Sequence, residues 1–314
     1  MYEKLDIITI GECLVELSTN AKMADAECLY KYYGGDALAA AISALRMGSK
    51  VGFITRVGND PFKDYLIDSW HKEGLDISQV KLSTEANGLY IISRPSGADK
   101  ELTVYRKKIA PSKLSIDDID CNYIKSASVI YASGVTQSLS PSAAEAVEYA
   151  FKTAKENGIK TAYDPNYHSV LTTVEDAKEA FFRLSSNIDI LFMNTKSDSL
   201  NILDIDSQEN IIKRLWDMGI STVVLKSEEK QGYYTGSNGN ITFTKFYTDK
   251  CVDTTCSGDT FNGGFLHAIT HGFTEFEASK FASIVAGIQT QSIGAIKSIP
   301  YKEEVYSIYR GHNG

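Results

Sequence analysis

The chain has 314 residues, 43% hydrophobic and 23% charged, with 32 Lys and Arg against 40 Asp and Glu for a net charge of −8. That is an ordinary globular composition, long enough to bury roughly three-quarters of its unfolded surface without disulfide or metal staples. The acidity argues against general binding of nucleic acid or an anionic membrane, but not against a local anion site built from backbone amides.

In chain order, residues 6–10 read as a short apolar strand ending at Gly11. Residues 34–47 read as a nearly buried helix, since Ala, Leu and Ile cover most of its faces, with Gly48 as its stop. Residues 51–57 form the next strand, and Asp60 with Pro61 supplies the N-cap and first position of a helix running to Gly74. Residues 129–132 are a strand; Ser140 and Pro141 open a helix that ends at Gly158; residues 160–163 are again a strand. The pattern continues with a strand at 188–193, a helix at 208–218 and a strand at 222–225, then closing helices at 257–271 and 275–291. Short apolar strands separated by helices predict an α/β fold, a mostly parallel central sheet with helices on both faces. Without a linker or repeat, residues 1–314 are expected to form a single domain. Residues 12–33 and 88–108 break the rhythm: the first lacks helical periodicity, and the second reads as two strands around a turn with Ser96 and Gly97 at its tip. They are expected to form a small β-sheet lid over a site.

Several chemistries are not expected. The opening MYEKLDIITIGECLVEL carries acids where a signal peptide wants bases, and the longest uncharged stretch, 126–144, is rich in Ser and Thr. With five cysteines and no CxxC pair, this predicts a cytoplasmic, reduced protein with no membrane span. His267 and His271 lie four apart on a helix but lack a third ligand, so no metal site is expected from protein side chains. There is no GxxxxGK[ST] loop, and no GxGxxG after the first strand.

The strongest chemical signal is DTTCSGDTFNGG, residues 253–264, a loop that runs straight into a helix. The amides of Cys256, Ser257, Gly258 and Asp259 are expected to point out of the helix start, where the dipole favours a phosphate or a transferring phosphoryl group. Asp259 beside them has the chemistry of a general base for an attacking hydroxyl. Gly263 and Gly264 cost helix stability and fit a close helix contact.

This segment resembles the DTxGAGDxFxxG signature of the ribokinase-like (PfkB) carbohydrate kinases, and GGDALAAAISALRMGSKVGFITRVGNDPFKDYL at residues 34–66 resembles the family's N-terminal signature. The resemblance covers essentially the whole chain and is greatest to the 2-keto-3-deoxygluconate kinases, through IGECLVELS, GLYIISRPSGADKELTVYRK, SGVTQSLSP and DPNYHSVL. It implies ATP and Mg2+ as cofactors, a sugar or sugar acid as substrate, and a homodimer through the lid. It also implies sugar contacts from Gly35, Asp36, Tyr90, Tyr105, Arg106, Val135, His168 and Asp259, and nucleotide contacts from Asn194, Lys226, Gly232, Gly258 and Ser283. An arginine such as Arg106 suits bidentate pairing with a sugar-acid carboxylate. The sequence departs from the family pattern at several positions. His168 stands for a second arginine, Ala39 for an asparagine and Val104 for a lid tyrosine. On the nucleotide side Ser197 stands for the glutamate of an NxxE motif, and Glu228 for a glycine. The expected activity is therefore transfer of the ATP γ-phosphoryl group to a 2-keto-3-deoxygluconate-like acceptor. A kinase of a neutral sugar such as fructose or ribose, and a non-catalytic sugar-binding regulator, are the alternatives.

Overall fold

A computed structural model describes residues 2–95, 101–248 and 250–312. The first half of the chain runs β1 (Leu5–Ile10), β2 (Leu14–Thr19), β3 (Tyr30–Gly34), α1 (Asp36–Met47), β4 (Val51–Gly58), α2 (Lys63–Glu73), β5 (Val80–Ser83), β6 (Gly88–Ser93), β7 (Glu101–Tyr105), α3 (Cys121–Ile124), β8 (Ala127–Ser133), α4 (Gly134–Ser138) and α5 (Pro141–Glu156). It continues with β9 (Lys160–Asp164), α6 (Val174–Leu184), β10 (Ile190–Asn194), α7 (Gln208–Asp217), β11 (Thr222–Ser227), β12 (Gly232–Ser237), β13 (Asn240–Lys245), α8 (Ser257–Thr270), α9 (Glu275–Gln289) and α10 (Lys302–His312).

Nine strands form the central sheet in the order β13-β12-β11-β10-β9-β8-β1-β4-β5. All neighbours are parallel except β11 with β12 and β12 with β13. Successive side chains of a strand point to opposite faces, and both faces here are buried. Ile7, Val129, Tyr131, Phe192 and Val224 enter one core with α1, α8 and α9, while Ile8, Ile130, Ala132, Leu191 and Val223 enter the other with α5 and α7. A strand buried on both faces is an unbroken apolar run, which is why these strands were legible as such.

The second sheet has the order β3-β2-β6-β7, with β2 and β6 parallel and the outer pairs antiparallel. It contains both stretches that broke the α/β rhythm. The expected tip at Ser96 and Gly97 lies outside the described residues. Three readings need correction. Asp60 does not cap a helix at Pro61: its carboxylate accepts from the amides of Phe62 and Asn87, and the helix begins at Lys63. The strand expected at 222–225 runs on to Ser227 and is the first arm of a hairpin, turning between Ser227 and Gly232. β5, β13, α6 and α10 were not anticipated: β5 is short and β13 lies at the sheet edge, so neither has the doubly buried pattern. Among the described residues no helix is long and apolar enough to cross a membrane.

α1 and α8 pack backbone to backbone beside β1. A Cβ on Gly263 would lie 2.2 Å from the Ala40 carbonyl oxygen and 2.6 Å from the Ser43 Cβ, and the Ser43 hydroxyl donates to the Thr260 carbonyl at 2.7 Å. Gly263→Ala must push the helices apart. The expected cost is about 1–3 kcal/mol of stability, read as a lower urea midpoint; an unchanged midpoint would show that the contact yields freely.

Candidate active site

The central parallel strands all end at one edge of the sheet, and strand order reverses direction between β8 and β1. Crevices at such a reversal, beyond the carboxyl ends of the strands, are the usual ligand sites of open α/β sheets. Here a cleft of about 520 Å³ is lined by residues from the ends of β8, β9, β10 and β11, from the starts of α1 and α8, and from the small sheet. A larger cavity of about 710 Å³ lies behind the segment carrying Tyr167 and His168, and shares that wall with the cleft.

At the floor, Asp36 opens α1 and Asp259 sits in the first turn of α8, respectively 6% and 8% exposed. Burial and then the charge of Asp36 push the Asp259 carboxyl up to about 7, against the opposing pull of Lys226. The Asn166 side-chain amide lies 3.4 Å from Asp259 Oδ1, and the Ser133 hydroxyl donates to Asp36 Oδ2. Gly35, just before Asp36, has φ of +130°, and a Cβ there would lie 2.5 Å from the Glu12 carbonyl oxygen, so only glycine fits.

The loop into α8 differs in detail from the expected four-amide cradle. Cys256 is left-handed, with φ of +60°, which folds the Thr254 carbonyl back onto the Ser257 amide at 3.1 Å. Among the described residues the amides of Gly258 and Asp259 have no backbone acceptor, since the ladder from the α8 start first engages Thr260 through the Cys256 carbonyl. The anion-binding potential of the helix start therefore rests chiefly on these two amides. Lys226 reaches the same place: a Cβ on Gly258 would lie 3.3 Å from its Nζ. Its ammonium pairs with Asp164 at 2.5 Å. Burial works against the Lys226 charge, but Asp164 holds its pKa above the ordinary lysine range. Asn262 also donates to Asp164, at 2.6 Å.

Asn194 lines the cleft, and its side-chain oxygen accepts from the Lys196 and Ser197 amides. One residue beyond Ser197, Asp198 is buried and accepts from the amides of Asn194 and Tyr167. Burial and then Asp164 raise its carboxyl to about 6. Glu228, Tyr233 and Phe246 complete this end.

At the lid end the cleft meets Tyr90, Arg106, Val135 and His168, as the resemblance implied. The Tyr90 hydroxyl is committed to Glu16 at 2.6 Å, and Arg106 Nη2 donates to the fully buried Glu12. His168 sits on the exposed rim with Nε2 3.2 Å from the Asn166 oxygen. Partial burial of its ring, and then the Arg106 charge, lower its pKa below the ordinary imidazole value.

Three expected contacts are not brought into the cleft. The pleat of β7 turns Leu102 and Val104 inward, leaving Tyr105 on the opposite face, 58% exposed. Gly232 pairs with Lys245, where its missing side chain makes room for the Phe243 ring, and the Ser283 hydroxyl donates to the Lys245 carbonyl from α9. Conversely, Asn166, Tyr167, Asp198, Tyr233 and Phe246 line the cleft without having been anticipated. The DPNY segment after β9 was a usable signal for the first two, whereas the aromatic pair lies on strands whose facing depends on the hairpin.

An open parallel sheet with a β lid and carboxylates at two helix starts defines a class of group-transfer enzyme. The model of the pfkB family carbohydrate kinases matches residues 4–302, and the chain belongs to that family. It is thus a phosphotransferase acting on a sugar hydroxyl. It is 26% identical over 312 residues, 96% of this chain and 92% of the other, to the 5-dehydro-2-deoxygluconokinase of Clostridium beijerinckii. Two solved structures share the fold. One is an E. coli protein provisionally assigned as ribokinase II, in complex with ATP and Mg2+, with a TM-score of 0.89 and 23% identity over 98% of this chain and all of that one. The other is the 2-dehydro-3-deoxygluconokinase of Thermotoga maritima, with a TM-score of 0.87 and 22% identity over the same shares.

A buried ion pair ties the lid to the floor. Arg94, just after β6, meets Asp253 at 2.5 Å, both side chains being 5% exposed or less. Burial opposes the Asp253 charge, yet the Thr255 hydroxyl and amide, the Gly294 amide and Arg94 hold its pKa below the ordinary value. A depressed carboxyl stabilises the fold above its unfolded pKa, and that stabilisation is lost as pH falls through the folded value. Arg94→Met removes the guanidinium half of this buried pair. It should cost about 3–5 kcal/mol and move the acid-unfolding midpoint to higher pH in denaturation followed by circular dichroism; a wild-type midpoint would mean that the remaining donors suffice.

Proposed function

We propose that the chain transfers the γ-phosphoryl group of ATP to a hydroxyl of a small sugar or sugar acid, with Asp259 as general base. The observation that carries this reading is a buried carboxyl raised to about 7 in the first turn of a helix where, among the described residues, the Gly258 and Asp259 amides have no backbone acceptor. A base with a pKa near the working pH combines availability with driving force. Asp259 takes the proton of the attacking hydroxyl, and Asp36 and Asn166 orient the acceptor beside it. The Gly258 and Asp259 amides meet the charge that develops on the phosphoryl oxygens, and Lys226 and Asn194 lie along the phosphates. The apolar side chains of the lid exclude water from the transfer. Curated relatives named as kinases support the chemistry, and the similar fold with ATP and Mg2+ bound supports the cofactors.

Among the described residues no three His, Cys, Asp or Glu side chains converge to hold a metal. Mg2+ suits such a site when held through phosphate oxygens and water, with Asn194 and Asp198 the cleft groups of matching hard-oxygen chemistry. When bound it supplies charge neutralisation across the phosphates.

Asp259→Asn should leave ATP binding, measured by calorimetry, nearly intact while lowering kcat at least about a hundredfold. In the wild type, log kcat should rise with pH through about 7 as the base ionises. Near-wild-type turnover in the variant, or an acid limb near 4, would sink the assignment.

The lid also offers a surface for a second copy. Tyr30, Leu102 and Val104 share the cleft-facing side of the small sheet and are 64%, 53% and 40% exposed, and large apolar side chains gathered on one face favour a covered surface. We infer a homodimer through this sheet. Sedimentation should show a dimer that Tyr30→Glu weakens; a monomer at every accessible concentration would overturn the dimer alone.

A further inference from the structure

Resting on the kinase reading above, the charge layout of the cleft decides between its two acceptor classes. We propose that the acceptor is an uncharged polyol rather than a sugar acid, and that Glu12 sets this preference by neutralising Arg106 within the cleft wall.

Arg106 is the one arginine that lines the cleft among the described residues, and a free guanidinium there would be a natural partner for a carboxylate. It is not free. Its side chain is 20% exposed, and Nη2 donates to Glu12 Oε1, whose side chain is fully buried. Arg106 Nε is also buried, with no acceptor among the described residues. The guanidinium edge that carries these two groups is therefore turned into the wall, where ionised Glu12 balances its charge; burial raises the Glu12 carboxyl to about 7 against the pull of Arg106, so the balance is fullest above that pH.

Glu12 cannot easily yield this position. It follows β1, between Gly11, where a Cβ would lie 2.4 Å from the Ala37 Cβ, and a backbone carbonyl packed beneath Gly35. Its backbone is thus held by the start of α1, so its carboxylate meets Arg106 from a fixed platform. The other cleft cation, Lys226, is balanced by Asp164 and lies toward the α8 start.

The groups left over at the acceptor end are Asp36, Asp259, Asn166 and His168. Two of them are carboxyl groups, and none is a permanent cation. Partial burial of its ring, and then Arg106 nearby, disfavour His168 from becoming one. A substrate carboxylate entering here would face like charges without a cation to spare, which is how charged sites reject a wrong ligand. Hydroxyl groups fit the same layout, because carboxylates, the asparagine oxygen and a neutral imidazole nitrogen all accept their protons. Leu14, Ile92, Leu102, Val104 and Val135 then cover the carbon skeleton.

The test uses matched acceptors at pH 8, where Glu12 and Asp259 are mostly ionised. 2-Keto-3-deoxygluconate is compared with 3-deoxyfructose, which carries a hydroxymethyl group in place of the carboxylate, and fructose and ribose are included. ADP release is measured for each, and binding of the matched pair by calorimetry. The wild type should favour the neutral member of the pair in kcat/KM, and in affinity, by roughly a hundredfold. Glu12→Gln frees the Arg106 charge at nearly constant shape. It should raise kcat/KM for the acid about tenfold or more, chiefly through KM, while the neutral sugar changes little. His168→Arg, a rim substitution that leaves Glu12 in place, should move selectivity the same way and covers the case in which the buried variant fails to fold. A wild type that prefers the acid would overturn the inference and leave the kinase reading standing. Unchanged selectivity in a folded Glu12→Gln protein would overturn the role of Glu12. No ADP release with any acceptor, and no binding of ATP, would overturn the kinase reading and this inference together.

Discussion

The contact between α1 and α8 is the constraint on which the site depends. Gly263 lets the two helices approach until backbone meets side chain, and the Ser43 hydroxyl pins them at Thr260. Both helices begin at the cleft, so their close approach brings Asp36 and Asp259 together at two helix N-termini. Helix starts favour negative charge, which helps the fold to tolerate two buried carboxyl groups in one place. Their mutual repulsion is not abolished, and it appears in the raised Asp259 carboxyl. The geometry that sets Asp259 beside Asp36 is thus a consequence of helix packing one turn and more away.

The second organising feature is the pairing of three cations, two from the lid and one from β11. Arg94 meets Asp253, Arg106 meets Glu12, and Lys226 meets Asp164. Buried ion pairs contribute little net stability relative to apolar packing, but breaking one is costly, so they specify position more than they stabilise. Two of these pairs join the small sheet to the main body at opposite ends of β6 and β7. The lid is therefore held in register with the floor by charge as well as by its apolar face. Because each guanidinium is spent on this task, the cleft keeps a surplus of carboxylates.

Most of the main sheet and its flanking helices, the small sheet and the start of α8 were legible in the amino-acid order, because each depends on neighbours within a few residues. Alternation of apolar strand and helix, the Ser140-Pro141 and Gly48 boundaries, and the Gly258-Asp259 pair at a helix start are all local signals. The hairpin after Lys226 was not legible, since its turn between Ser227 and Gly232 contains neither glycine nor proline and relies on a left-handed Gln231. Nor was the facing of β7: the pleat guarantees that Val104 and Tyr105 point oppositely, but only packing of the whole small sheet chooses which one enters the cleft. Above all, the pairing of Arg106 with Glu12 joins residues 94 apart, and that of Arg94 with Asp253 residues 159 apart. Sequence by itself determined the family and most of the strand and helix order. Tertiary structure alone decided which charges are spent on each other and which remain for a substrate, because electrostatic pairing depends on distance in space and no local rule carries that over such separations.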